Sequence, residues 1–154
     1  EGYKNGMKYL IPCLESQRPL DLVIIMLGTN DLKCRFSLSA FDIAEGAGVL
    51  VDIVLSSRAG RCWNPPKVLL VSPINVGDNI RTTWHCEAFG MERSVEISKG
   101  FAAHFKRIAE LRGCEFMDAA AIATPSLIDA IHLDAGEHIK LGKAIAAKVK
   151  SIFE

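Results

Sequence analysis

Asp129 and His132 stand three residues apart in the stretch DAIHLD. At that spacing a carboxylate can bond one imidazole nitrogen while the other nitrogen faces outward, which makes an oriented general base. A second group of interest is Gly28-Thr29-Asn30-Asp31. Asn30 can present its amide NH₂ as a hydrogen-bond donor, and Gly28 lets the backbone turn sharply and approach a ligand. Asp31 reads better as a turn or cap residue. Taken singly, each pattern has a plain explanation. Asn-Asp is ordinary turn chemistry, and a surface Asp and His need no role, because function is argued from a whole site.

Other chemistry finds less support. A metal site on Asp129, His132 and Asp134 lacks a further ligand, with His85 in an unrelated loop. Gly136 and Gly142-Lys143 have the wrong spacing for a phosphate loop, and no Ser or Thr follows the lysine. The chain contains neither G-x-G-x-x-G nor G-x-S-x-G. Cys34 follows the Gly-Thr-Asn-Asp turn and is taken as inert. His138 sits at an apolar helical position and reads as a packing residue. Trp63 and Trp84 flank the presumed cleft loops, where either lines a pocket or simply packs.

The chain that must position these groups has 154 residues, a normal length for one domain with a real core. Apolar residues make up 49% and charged residues 23%, as in a folded globular protein. Eighteen basic and eighteen acidic side chains cancel, so the basic excess of a nucleic-acid binder is missing. No apolar run approaches the ~20 residues that span a bilayer. The five cysteines form no CxxC pair, which points to free, mostly buried thiols in a reducing compartment.

Helix and strand signals alternate. Asn5 caps a short helix with Met7, Leu10, Ile11 and Leu14 on one face, ended by Pro19. The apolar run 21–27 predicts a strand buried on both faces. Ser39 and Asp42 open a second helix with Ile43, Ala47, Leu50 and Val54 inward. A strand over 67–72 follows, then a long connection, 73–90, of the kind that is often functional. One helix is expected over 91–112 with Gly113 ending it, then a short strand over 114–118. Asp134 should cap a last helix with His138, Leu141, Ile145, Val149 and Ile152 on its apolar face. This order implies an α/β, flavodoxin-like, doubly wound parallel sheet flanked by helices. Loops 28–33, 73–90 and 119–133 would then emerge at one rim, the carboxyl ends of the strands, where such sheets bind ligands. An opening helix without a preceding strand, and only three strands, suggest one domain over 1–154 that is incomplete at its amino-terminal side. Such a sheet should expose an apolar strand edge.

Together, DLVIIMLGTNDLK over 21–33 and DAIHL before a terminal helix resemble the SGNH, or GDSL, hydrolase family, in the order of its G-x-N-D and D-x-x-H blocks. Phe116-Met117-Asp118-Ala119 and Leu141-Gly142 fit its bacterial arylesterase and acyltransferase branch. The resemblance implies hydrolysis of small acyl esters by a Ser-His-Asp mechanism, or acyl transfer. His132 would be the base and Asp129 its orienter. Gly28, Thr29 and Asn30 would form the substrate- and oxyanion-binding turn, with Asn30 the donor. Ala130 stands where relatives often carry Gly, with little effect expected. The family's Gly-Asp-Ser block and its second block are not in the sequence, and Ser72, followed by Pro73, is no substitute. The nucleophile is therefore expected outside this chain. A domain without a nucleophile, kept for ligand or partner binding, is the alternative. No cofactor, metal, nucleic acid or membrane is implied; a homo-oligomer is compatible with the branch. A bacterial cytoplasmic location is expected, with a leader segment left open because the first residue is Glu1.

Overall fold

The computed structural model describes residues 5–154. Helix α1 (Gly6–Gln17) begins where the Asn5 side chain accepts from the Met7 N–H. It leads to strand β1 (Leu22–Ile25), helix α2 (Ala40–Leu55) and strand β2 (Lys67–Ser72). Then come the short α3 (Cys86–Phe89), α4 (Glu92–Lys99), α5 (Phe101–Arg112), strand β3 (Glu115–Asp118) and the long α6 (Ala135–Phe153). The strands lie in the order β1-β2-β3 and both pairings are parallel. Leu22 is opposite Lys67, and Ser72 is opposite Asp118.

Side-chain alternation along each strand divides the core in two. Ile25, Val68 and Leu70 face a large cluster with Ile43, Ala47, Val51 and Val54 of α2 and Phe101, Phe105 and Ile108 of α5. Leu69, Val71 and Met117 face the other way, onto Leu141 and Ile152 of α6. The sheet is thus covered on both faces, as the alternation of elements predicts. Ser39 and Asp42 form the expected reciprocal cap on α2. Gly113 closes α5 in the left-handed conformation, with φ 64°. Arg112, at the end of α5, lies across Gly48 of α2 and bonds Asp52 at 3.0 Å and Glu45 at 3.3 Å. A Cβ on Gly48 would stand 2.6 Å from the Arg112 Cζ. At the far end of α6, Lys67 donates to the Ile152 carbonyl at 2.6 Å, satisfying one of the helix's last free acceptors.

Several expectations need correction. The single helix over 91–112 is two, broken at Gly100, where the chain passes so close to α2 that a Cβ would meet Ala40 Cβ at 3.1 Å. Glycine is a poor helix former, so the break falls there at small cost. Strand β1 is shorter than the apolar run and is not buried on both faces. Helix α6 covers β2 and β3 but leaves Ile24 42% exposed at the open edge. Met7 and Ile11 of α1 are also exposed, because Leu14 is the residue of that helix buried against α2. His138 points to solvent, since the buried stripe of α6 runs through Leu141 and Ile152. Asp134 occupies the cap position of α6 without making a side-chain cap bond. No cysteine is fully buried: Cys34 and Cys62 are exposed and Cys13, Cys86 and Cys114 half-buried, all unpaired. Trp63 precedes β2 and so lies at the amino ends of the strands, opposite the ligand rim.

An apolar, unpaired strand edge is a template for association. Ile24→Lys should therefore raise the monomer fraction in sedimentation velocity at high protein concentration. A wild-type chain that is already wholly monomeric there would contradict this reading of β1.

Candidate active site

Because the strands are parallel, the three loops after them share one rim. Gly28 follows β1 with φ 135°, and a Cβ there would meet Ile43 Cγ2 at 3.0 Å, Phe105 Cζ at 3.3 Å and Pro73 Cγ at 3.4 Å. The turn is therefore pressed against the end of β2, and only glycine fits it. Thr29–Leu32 then forms one tight helical turn, closed by Asp31 N–H to the Gly28 carbonyl at 3.0 Å. Leu32 anchors this turn in the core, Thr29 is half-buried and Asn30 is exposed. The Asn30 amide makes no hydrogen bond among the described residues, so its donors are free. Burial raises the Asp31 carboxyl pKa, opposed by its backbone bond and by the charge of Lys33.

The loop after β3 is tied down at several points. The Ser126 N–H donates to the His132 carbonyl at 2.7 Å, and the Ala130 N–H to the Ser126 carbonyl at 2.8 Å. Gly77 donates to the Ala130 carbonyl at 2.8 Å, and Asn79 Nδ2 to the Leu127 carbonyl at 2.8 Å, which joins this loop to the one after β2. Glu137 of α6 accepts from the Thr124 N–H at 2.9 Å. Ala130 is fully buried with φ 64°, a conformation that favours glycine and costs other residues about 1–2 kcal/mol. Its buried methyl and the greater unfolded-state freedom of glycine work against that cost.

This framework sets Asp129 and His132 against each other. Asp129 Oδ1 accepts from the N–H groups of Ile131 at 3.0 Å and His132 at 2.9 Å. Its Oδ2 meets His132 Nδ1 at 2.6 Å. The carboxylate is 17% exposed and the imidazole 68% exposed. Desolvation favours the neutral acid, but the two backbone N–H groups and the imidazole outweigh it, and the Asp129 pKa falls to about 2. The pair is a fixed carboxylate holding one nitrogen of a ring whose other nitrogen is free.

His85 was not expected here. Its ring lies 5.8 Å from that of His132, stacks on Trp84 at 3.5 Å and meets Phe89 edge-on at 5.7 Å. The Lys33 ammonium sits 5.9 Å from the centre of the Phe89 ring. The three rim loops therefore converge through Lys33, Phe89, His85 and His132. His85 is not in an unrelated loop. The one sequence signal for it was the length of the 73–90 connection, which holds two short helical turns, 78–82 and α3.

No protein-family model matches the chain, and no curated protein matches it either. Solved structures do. A carbohydrate acetylesterase from Sinorhizobium meliloti, Est24, is 40% identical with a TM-score of 0.88, over 96% of this chain and 68% of its own. The M. smegmatis aryl esterase is 37% identical with a TM-score of 0.87, over 95% of this chain and 67% of its own. The chain belongs to the SGNH hydrolase family. It spans about two thirds of the length of these SGNH esterases.

Two outcomes follow from this geometry. Gly28→Ala should destabilise the fold by about 1–3 kcal/mol in denaturant unfolding, from backbone strain and overpacking together; an unchanged midpoint would contradict the tight turn. The fold favours ionised Asp129, so that contribution is complete above the ordinary carboxylate pKa near 4 and is lost as pH falls to about 2. The stability gap between the wild type and Asp129→Asn should accordingly narrow over that window, and a gap constant with pH would refute the assignment.

Proposed function

We propose that these 154 residues carry the acid–base half of a serine-esterase centre acting on small acyl esters. In this reading His132 accepts the proton of an attacking serine hydroxyl and later returns it to the leaving alcohol. Asp129 holds the ring in the productive tautomer and stabilises the imidazolium. Asn30 donates to the oxygen that becomes negative in the tetrahedral intermediate, with Gly28 and Thr29 shaping that pocket. The observation that carries the reading is the 2.6 Å contact of a half-buried carboxylate with a ring exposed at the carboxyl rim of a parallel sheet. The names of the solved relatives, an aryl esterase and a carbohydrate acetylesterase, favour acetyl-sized groups on aryl or sugar hydroxyls. Water or another alcohol then takes the acyl group.

The nucleophile belongs, in this proposal, to a segment beyond the 154 residues. Serines near the site are otherwise engaged. Ser72 is fully buried and donates to Asp118 at 3.0 Å. Ser126 is buried, and its hydroxyl accepts from the Ile128 N–H at 3.1 Å.

The 154-residue chain, purified alone, should hydrolyse p-nitrophenyl acetate no faster than buffer. Hydrolysis by it that disappears in His132→Ala would overturn the assignment of the nucleophile. The product of the full upstream reading frame should be active, and His132→Ala there should lower kcat by about six orders of magnitude. An inactive full-length product would instead support a binding role for the cleft.

A further inference from the structure

His85 has no part in the scheme above, yet its ring is packed beside the dyad. Trp84 covers one face of its ring, and Phe89 meets it edge-on. Its Nε2 is buried and forms no hydrogen bond. An unpartnered buried polar atom is unusual in a native fold. One nitrogen from His85, one from His132 and one Asp129 carboxylate oxygen all lie within 4.8 Å of one another.

We propose that His85, Asp129 and His132 form a binding site for a divalent transition-metal ion of the zinc class. Two imidazoles and a carboxylate suit borderline ions, whereas magnesium and calcium seek oxygen ligands throughout. Three protein ligands leave one tetrahedral position for water. Zinc–ligand bonds of about 2.0–2.2 Å need the ligand atoms to close to roughly 3.3 Å. Asp129 Oδ2, 2.6 Å from His132 Nδ1, would exchange that hydrogen bond for the ion as the exposed His132 ring turns, while the packed His85 supplies the fixed side. The Lys33 charge, which acts on His85, opposes a cation and limits the affinity.

A ring nitrogen on the metal cannot take a proton, so the ion and the base role of His132 exclude each other. That consequence rests on the proposed esterase reading; the binding itself does not. Zinc is thus a competitor for the dyad and not its cofactor.

The test is calorimetric titration of the 154-residue chain with zinc chloride after its thiols are blocked with iodoacetamide, since Cys34 and Cys62 are exposed competitors. One ion per chain is expected. His85→Phe and His132→Asn should each weaken binding about tenfold or more. Lys33→Gln should tighten it several-fold, and His138→Ala should leave it unchanged. No binding up to millimolar zinc overturns the site, as does a loss confined to one of the two histidine variants. If either variant fails to fold, imidazole NMR signals of the wild-type chain decide. Zinc must shift both the His85 and the His132 rings, and a shift of neither or of only one overturns the proposal. Because the titration needs no turnover, its failure would leave the esterase reading untouched.

Discussion

The rim depends on what one carboxylate does with its two oxygens. Oδ1 of Asp129 gathers two successive backbone N–H groups, and Oδ2 holds the imidazole. The first pair of bonds shapes the loop, and the third points the ring. Loop conformation and ring orientation are therefore one property, because the same carboxylate sets both. Ala130, in a left-handed conformation between the two ends of this cycle, lets Asp129 turn back on the N–H groups that follow it.

The cycle would be idle on a mobile loop. It is held because the 119–133 segment is bonded to its neighbours on both sides. Gly77 and Asn79 fix it from the loop after β2, and Glu137 fixes it from α6. Below the rim, two hydrophobic clusters clamp the sheet, so that the three loops leave rigid strand ends. Gly28 shows how close this packing is, with side chains from α2, α5 and the end of β2 crowding the place a methyl group would need.

Much of this was legible in the residues. The apolar run of β2, the cap at Ser39 and Asp42 and the glycine after α5 are local signals that tertiary packing reinforced. The Asp129–His132 contact was legible because both groups lie on one short loop. What sequence patterns did not show were effects that depend on distant partners. The exposure of Ile24 and His138 follows from which part of the sheet α6 covers, and no local pattern encodes that. The break at Gly100 follows from its contact with α2. His85 was hidden for the same reason. Its loop has no periodicity, and His132 and Asp129, which it approaches, come from a segment far away in sequence.

The missing side chain at Gly48 makes room for a group from another helix. Helices α2 and α5 both begin near the ligand-facing end of the sheet and run back from it, and the Arg112 guanidinium nests in the gap that Gly48 leaves, tethered by Asp52 and Glu45. The hollow gives the guanidinium its seat, so that α5 is tied to α2 by ion pairs from its last residue.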